Sequence, residues 1–280
     1  MQTGMTCEPG GTSLRETEYT LESTRLGSFP PASNHAARVL LAISHLQAGH
    51  VEFDDASLAI HLFGEVEFDA IHALQQRLAL EALSAPTGRI TVLVGEHQRC
   101  LSLGRLGSRG HVQLSPATLA SERIDLRWVN RGGGAVLHLP GQLFVYGIAH
   151  LRWHGWSVGN YLQRLLAAVS GTLAEIGVVP RVGPQLSSLH GRTGALASLG
   201  IAVRGGVTSH GAFINVDPPL RLYRAIECHG GGNFSSLAAE RQGSVKMSAV
   251  RASLPAQLAA AFGVERYHMA TGHSALRKGE

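Results

Sequence analysis

Apolar positions recur with two different periods along the chain, and the change of period marks the elements. LAIHLF, from Leu58, predicts a short strand, and EFDAIHALQQRLALEAL places Phe68, Ile71, Leu74 and Leu78 at helical spacing. RITVLVGEH is a run of β-branched and aliphatic residues expected of a buried strand, and RWVNR and PGQLFVYGIAHL read as further strands. The clearest helix is SVGNYLQRLLAAVSGTLAEIG. There Val158, Leu162, Leu165, Leu166, Val169, Leu173 and Ile176 repeat every three or four positions, with Ser157 placed to cap and Gly177 to stop. ALASLGIAV, VTSHGAFINV and RLYRAIEC predict short strands between glycine turns, and a helix over roughly PAQLAAAFG ends at Gly263. Taken alone, SHG at 209–211 reads as a turn with a solvent-facing histidine. RGGGAVLHLPGQ reads as a tight hairpin, or as a place where bare backbone N–H groups approach a ligand. Helices and strands alternate irregularly, so the expected class is α+β, a mixed or antiparallel sheet with flanking helices.

Residues 1–56 are rich in Ser, Thr, Glu, Gly and Pro and are expected to be a poorly ordered extension, with 57–265 as the folded domain and 266–280 as a tail. The chain has no run of about 18 apolar residues. MQTGMTCEPGG lacks the charged-then-apolar order of a secretory signal. The expectation is a cytoplasmic protein without a membrane segment. Of 24 basic residues only Lys246 and Lys278 are lysines, and Lys246 is expected on the surface. The net charge of +4 is not gathered into basic runs with interleaved aromatics, which argues against nucleic acid and suits an acidic protein partner.

Cys7, Cys100 and Cys228 show no CxxC spacing, so cysteine chemistry here is that of a free thiol. No GxxxxGK[ST] occurs, no GxGxxG follows a strand, and neither HExxH nor a compact zinc spacing is present, so no metal is expected. IECHGGGNFSSL sets Cys228 directly before His229 and three glycines. By itself it admits a nucleophile against a substrate backbone, a small hydrophobe in a turn, or a Cys/His hydrolase; the local signatures of papain and caspases are absent.

Four segments stand in a characteristic order: EH at 96–97 leading to SLGR at 102–105, RGGGAVLHLPGQ at 131–142, ALASLGIAV with VTSHGAFINV, and IEC at 226–228 followed by SSLAAE. Together, over roughly residues 58–265, they resemble the octanoyltransferase family of lipoate biosynthesis, within the biotin and lipoate ligase fold. The resemblance implies an acyl site lined by Arg131, Gly132, Gly133, Gly134, Ala135, Val136, Leu137 and His138. It adds the turn Ser198, Leu199 and Gly200 and the strand residues Gly211, Ala212 and Phe213. It makes Cys228 the acyl-accepting nucleophile, needs no metal or organic cofactor, and implies two kinds of partner. Acyl carrier protein is the octanoyl donor; lipoyl domains of 2-oxoacid dehydrogenases and the glycine-cleavage carrier protein are the acceptors.

The chain departs from that family where it bears on the chemistry. Ala195 stands where the family places a lysine whose ammonium lowers the cysteine pKa and anchors the acyl carbonyl. Arg192, His138, His210 and His229 are the candidate substitutes, as a charge or a base. Val136 and Leu137 replace Thr-Tyr, Leu139 replaces a glycine, and Glu227 replaces the proline before the cysteine. Keeping the cysteine without the lysine favours a transferase over an ATP-using ligase. A degenerate paralogue that only binds carrier or lipoyl domains and a Cys/His acyl hydrolase are the alternatives.

Overall fold

The computed structural model describes residues 57–183, 186–227 and 233–276. The proposed extension 1–56, Cys228 and His229 therefore lie outside the described residues. Strand β1 (Leu58–Val66), helix α1 (Phe68–Ser84) and strand β2 (Ile90–His97) form a crossover unit whose two strands pair in parallel. Strand β3 (Cys100–Leu103), helix α2 (Pro116–Ser121), strand β4 (Asp125–Trp128) and strand β5 (Ala135–His138) follow. Next come β6 (Gln142–Ile148), α3 (Val158–Glu175), β7 (Arg181–Val182), β8 (Ser188–His190), β9 (Ala195–Arg204) and β10 (Val207–Asn215). Helices α4 (Leu237–Arg241) and α5 (Met247–Phe262) precede β11 (Tyr267–Thr271).

Eight strands make one mixed sheet in the order β11-β1-β2-β6-β10-β9-β8-β7, and β4-β3-β5 make a second, small one. Side chains of a strand alternate between faces, and the central strands of the large sheet are buried on both. Val92, Val94, Leu143, Val145, Ala212 and Ile214 pack in the cluster that contains α3 and α5. Their neighbours Leu93, Phe144, Tyr146 and Phe213 pack with Ile71 and Leu74 of α1. Burial of both faces explains why these strands read as continuous apolar runs rather than as alternations.

Helix α3 begins where its sequence indicates. The Ser157 hydroxyl accepts from the Asn160 backbone N–H at 3.1 Å, and Gly177 follows the last turn with φ +84°. Helix α5 stops before Gly263 as expected but begins at Met247, so Pro255 lies inside it. An interior proline costs about 3 kcal/mol; the buried stripe Val250, Leu254, Leu258 and Phe262 offsets that local penalty.

Three local expectations are corrected. RLYRAIEC is not a strand: Leu222–Ala225 is a 3-10 turn, which buries Leu222, Tyr223 and Ile226 together against the small sheet. SHG is not a solvent turn, because His210 lies within β10, 3% exposed, with φ +59° and its N–H donated to Gln75 Oε1 at 2.7 Å. Residues beyond 266 are not only a tail, since β11 pairs in parallel with β1 and forms an edge of the large sheet.

Candidate active site

The turn after β4 brings Arg131 inward. Its side chain is 1% exposed, its Nη2 donates to the Ser102 carbonyl at 3.0 Å and the Ser102 hydroxyl at 2.8 Å, and its Nη1 donates to the Gly132 carbonyl at 2.9 Å. No carboxylate among the described residues pairs with it. Burial lowers its pKa to about 10, which leaves it fully charged at neutral pH. A buried cation bound only to neutral oxygens, with its Nε unpartnered, is a fixed source of positive potential.

That guanidinium borders a cavity of about 30 Å3, room for about one water. Gly133, Gly134, Ala135, Val136, Ser198, Leu199, Gly200 and Phe213 line it, together with Ala195, Ser187, Ser188 and Phe234. The RGG turn and the SLG segment thus meet across 70 residues of sequence. Contact is close because both sides lack side chains: a Cβ on Gly200 would stand 2.5 Å from the Gly132 carbonyl oxygen. Gly132 itself donates its N–H to the Ile201 carbonyl at 2.8 Å.

Leu137 and His138 do not line this cavity. Leu137 is packed into the small-sheet core, and His138 is wholly buried with both ring nitrogens engaged. The Gln142 amide nitrogen faces three oxygens, those of Leu137, Asn215 and Tyr223, so its Oε1 accepts the proton of His138 Nδ1 at 2.9 Å. Nε2 then accepts from Ser102 at 2.8 Å. Burial, with the charge of Arg131 contributing, holds His138 well below the usual imidazole range. A neutral, satisfied imidazole here fixes the geometry rather than taking a proton from substrate. Asn215 extends the chain of hydrogen bonds, donating from Nδ2 to the Ser235 carbonyl at 3.0 Å.

The other substitutes for the lysine are also placed elsewhere. Arg192 is exposed and ion-paired at 2.8 Å with Glu240, whose carboxyl is held below its ordinary value by the hydrogen bonds and charge of Arg192, against the upward push of desolvation. His210 is buried against Tyr146 and His72 on the α1 side of the sheet, and burial lowers its pKa to about 3. Gly211 and Ala212 are interior positions of β10, paired with Tyr146 and Val145 of β6. Lys246 is exposed at the start of α5.

Both flanks of residues 228–232 are anchored. On one side Ile226 bridges Val112, and the Glu227 N–H donates to the His111 carbonyl at 3.0 Å. On the other, Phe234 bridges Ala195. A second cavity of about 690 Å3 opens between Thr193, Tyr223, Ile226, Asn233 and Phe234. Phe234 lines both cavities. Sequence alone assigns no role to Ser102, Gln142 or Tyr223. Ser102 and Gln142 stand inside the quoted motifs, as does Asn215, which the resemblance matches to the family's strand, and their polarity at otherwise apolar strand positions is the available signal; Phe234 has none. Among the described residues no group of three or more His, Cys, Asp or Glu can hold a metal, and no helix is long and apolar enough to cross a membrane.

The sequence pattern of the lipoyl protein ligase A/B catalytic domain matches residues 70–257. The octanoyltransferase of Chloroflexus aurantiacus is 34% identical over 214 residues, covering 75% of this chain and 96% of that protein. That of a Roseiflexus species is 35% identical over 215 residues, covering 75% and 89%. In fold, the chain is similar to lipoate-protein ligase A bound with ATP, with a TM-score of 0.64 at 14% identity over 78% of this chain and 90% of that one. It is similar also to the bi-partite lipoate protein ligase of Thermoplasma acidophilum, with a TM-score of 0.59 at 17% identity over 78% and 89%. On the matched pattern and these relatives, the chain belongs to the octanoyltransferase family of the lipoyl protein ligase A/B catalytic domain.

Proposed function

We propose that this protein transfers an octanoyl group from acyl carrier protein to the lysine of lipoyl domains, in the cytoplasm, through a thioester on Cys228. The observation that carries the reading is the convergence of the RGG turn, the SLG segment and Phe213 on one cavity beside Ala195 and Phe234, where Phe234 anchors one flank of the cysteine segment and Ile226, the other flank, lines the larger cavity.

In the first half-reaction the Cys228 thiolate attacks the octanoyl carbonyl, and the carrier's thiolate leaves and takes a proton. One thioester replaces another, so little free energy separates the two sides. In the second, the lysine amine attacks the enzyme thioester, Cys228 leaves as thiolate, and the new amide gives up the amine's proton. Negative charge develops on the carbonyl oxygen in both steps. Ala195 offers no ammonium, and Arg131 takes its place as the nearby positive charge. It is preorganised by Ser102 and Gly132 and shielded from water, where a charge acts most strongly.

An octanoyl chain needs more room than the small cavity has. Rotation of the Phe234 ring, which tilts against Tyr223 with centroids 5.2 Å apart, joins the two cavities and makes that room.

The test is incubation with octanoyl carrier protein, followed by intact-mass measurement and addition of an apo lipoyl domain. One octanoyl group on Cys228, passed onward to the lipoyl domain, supports the reading. No adduct points to a binding-only paralogue, for which Ala195 is the motive, and an adduct that decays to free octanoate points to a hydrolase.

A further inference from the structure

A run of exposed residues joins the two ends of the site. Arg105 donates its backbone N–H to the Arg131 carbonyl at 2.9 Å, and Leu106 donates to the Gly133 carbonyl at 3.1 Å. Six residues on from Arg105, the His111 carbonyl receives the Glu227 N–H. The stretch 105–111 therefore runs from the RGG turn to the flank of the cysteine segment. Arg105 and Arg109 are exposed on it, and between them Leu106 is 57% exposed. Arg224, on the 3-10 turn, is exposed at the rim of the larger cavity.

None of these three arginines meets a carboxylate among the described residues. Arg105 lies 3.4 Å from two oxygens of Asn130, and Arg109 donates to the carbonyls of Val112 and Leu114. Nearby acids do not cancel them. Glu122 is held between Arg99 and Arg221, and Glu227 stands on the rim as a single exposed carboxylate. Guanidinium groups without a carboxylate partner beside an exposed leucine form a surface for an acidic partner with an apolar centre: the charges speed and orient encounter, and the leucine excludes water on contact.

The geometry points to Arg105, Leu106, Arg109 and Arg224 as the surface that receives the acidic carrier protein delivering the acyl thioester. This rests on the proposed function, since it assigns a partner to the mouth of that same site. An arm carrying the thioester then enters beside Phe234 while the carrier's acidic face stays on the rim.

The experiment compares octanoyl carrier protein with octanoyl-pantetheine, a small neutral donor, using the full chain and the variants Arg105→Glu with Arg224→Glu, and Leu106→Ser. Arg109 is left in place because it also holds its own turn. With the carrier, the double reversal is expected to lower kcat/KM by at least about tenfold, and added salt to weaken the natural protein but not the variant. With octanoyl-pantetheine, natural protein and variants are expected to agree within about twofold. Equal losses with both donors, no loss with either, or a loss confined to transfer onto the lipoyl domain overturns the docking surface. So does equal binding of a single-stranded oligonucleotide, which marks a general polyanion site. If the natural protein turns over neither donor, the proposed function fails instead. The surface is then judged by titrating the apo carrier: binding weakened about tenfold by the double reversal supports it, and unchanged binding overturns it.

Discussion

Phe234 lies beside Ala195 as a parallel bridge: the Ala195 N–H donates to the Asn233 carbonyl at 2.8 Å, and the Ser235 N–H donates to the Ala195 carbonyl at 2.8 Å. Ala195 is therefore the residue that holds the far flank of the cysteine segment. Gly194 makes the approach possible, because a Cβ there would collide with the Asn233 carbonyl.

Arg131 is expected to carry the charge that Ala195 does not. Arg131→Met should lower kcat/KM by roughly 10²–10³, the cost of losing one preorganised donor to a developing oxyanion, and Arg131→Lys should recover part of it. A pH–rate profile separates this from a structural effect. Loss of the nearby cation should move the limb set by the thiol to higher pH in Arg131→Met, whereas a merely structural role would lower the melting temperature and leave that limb in place.

Restoring a lysine is expected to cost stability. Ala195 is 2% exposed, and its cavity holds about one water, so a long side chain must displace its neighbours. Ala195→Met and Ala195→Lys should each lose about 1–3 kcal/mol from overpacking. The lysine should lose more, because its ammonium faces the unpaired Arg131. Urea unfolding of the two variants measures the difference; equal losses would show that the Arg131 charge is not felt at this position.

The histidines around the α1 face predict acid sensitivity. Burial lowers His97 and His210 to about 3, and His138 is held well below the usual range. Each is neutral in the folded chain, whereas the unfolded chain takes up a proton below about pH 6.5. Stability is therefore intact above that pH and is lost as pH falls from about 6.5 toward 3. One such group costs about 2 kcal/mol by pH 5. Urea midpoints at about pH 7.5 and about pH 5 test this, with a sharp fall expected at the lower pH. A midpoint unchanged between them would contradict it.

Phe234 is expected to set acyl-chain tolerance. Phe234→Ala should join the two cavities permanently and raise kcat/KM for acyl groups longer than octanoyl relative to octanoyl itself. Competition between thioesters of different chain length measures the ratio. An unchanged ratio would mean that the ring does not separate the cavities during turnover.

Much of the fold is legible in the sequence because it is decided locally. Helices α1 and α3 follow from apolar residues every three or four positions, with a serine cap and a glycine stop for α3, signals that cooperate over one or two turns. The ordered motifs also marked most of the residues that line the small cavity, since glycines packed against a neighbouring backbone leave a sequence trace. Other features were decided by distant partners. RLYRAIEC became a turn because the small sheet had a pocket for Leu222, Tyr223 and Ile226, and His210 was drawn into β10 where Gln75, 135 residues away, accepts its N–H.

By itself, then, the sequence determined the class of fold, its main helices and most of the residues that line the small cavity. Only the tertiary structure decided that His138 is a buried strut, that Arg192 is occupied by Glu240, and that Arg131 stands charged and unpaired beside Ala195. The reason is physical: a side chain's charge, burial and hydrogen-bond partners are set by strand register across the sheets. Ser102, His138, Gln142 and Asn215 meet across β3, β5, β6 and β10, and a slip of one residue in any of these strands would turn its side chain to the opposite face.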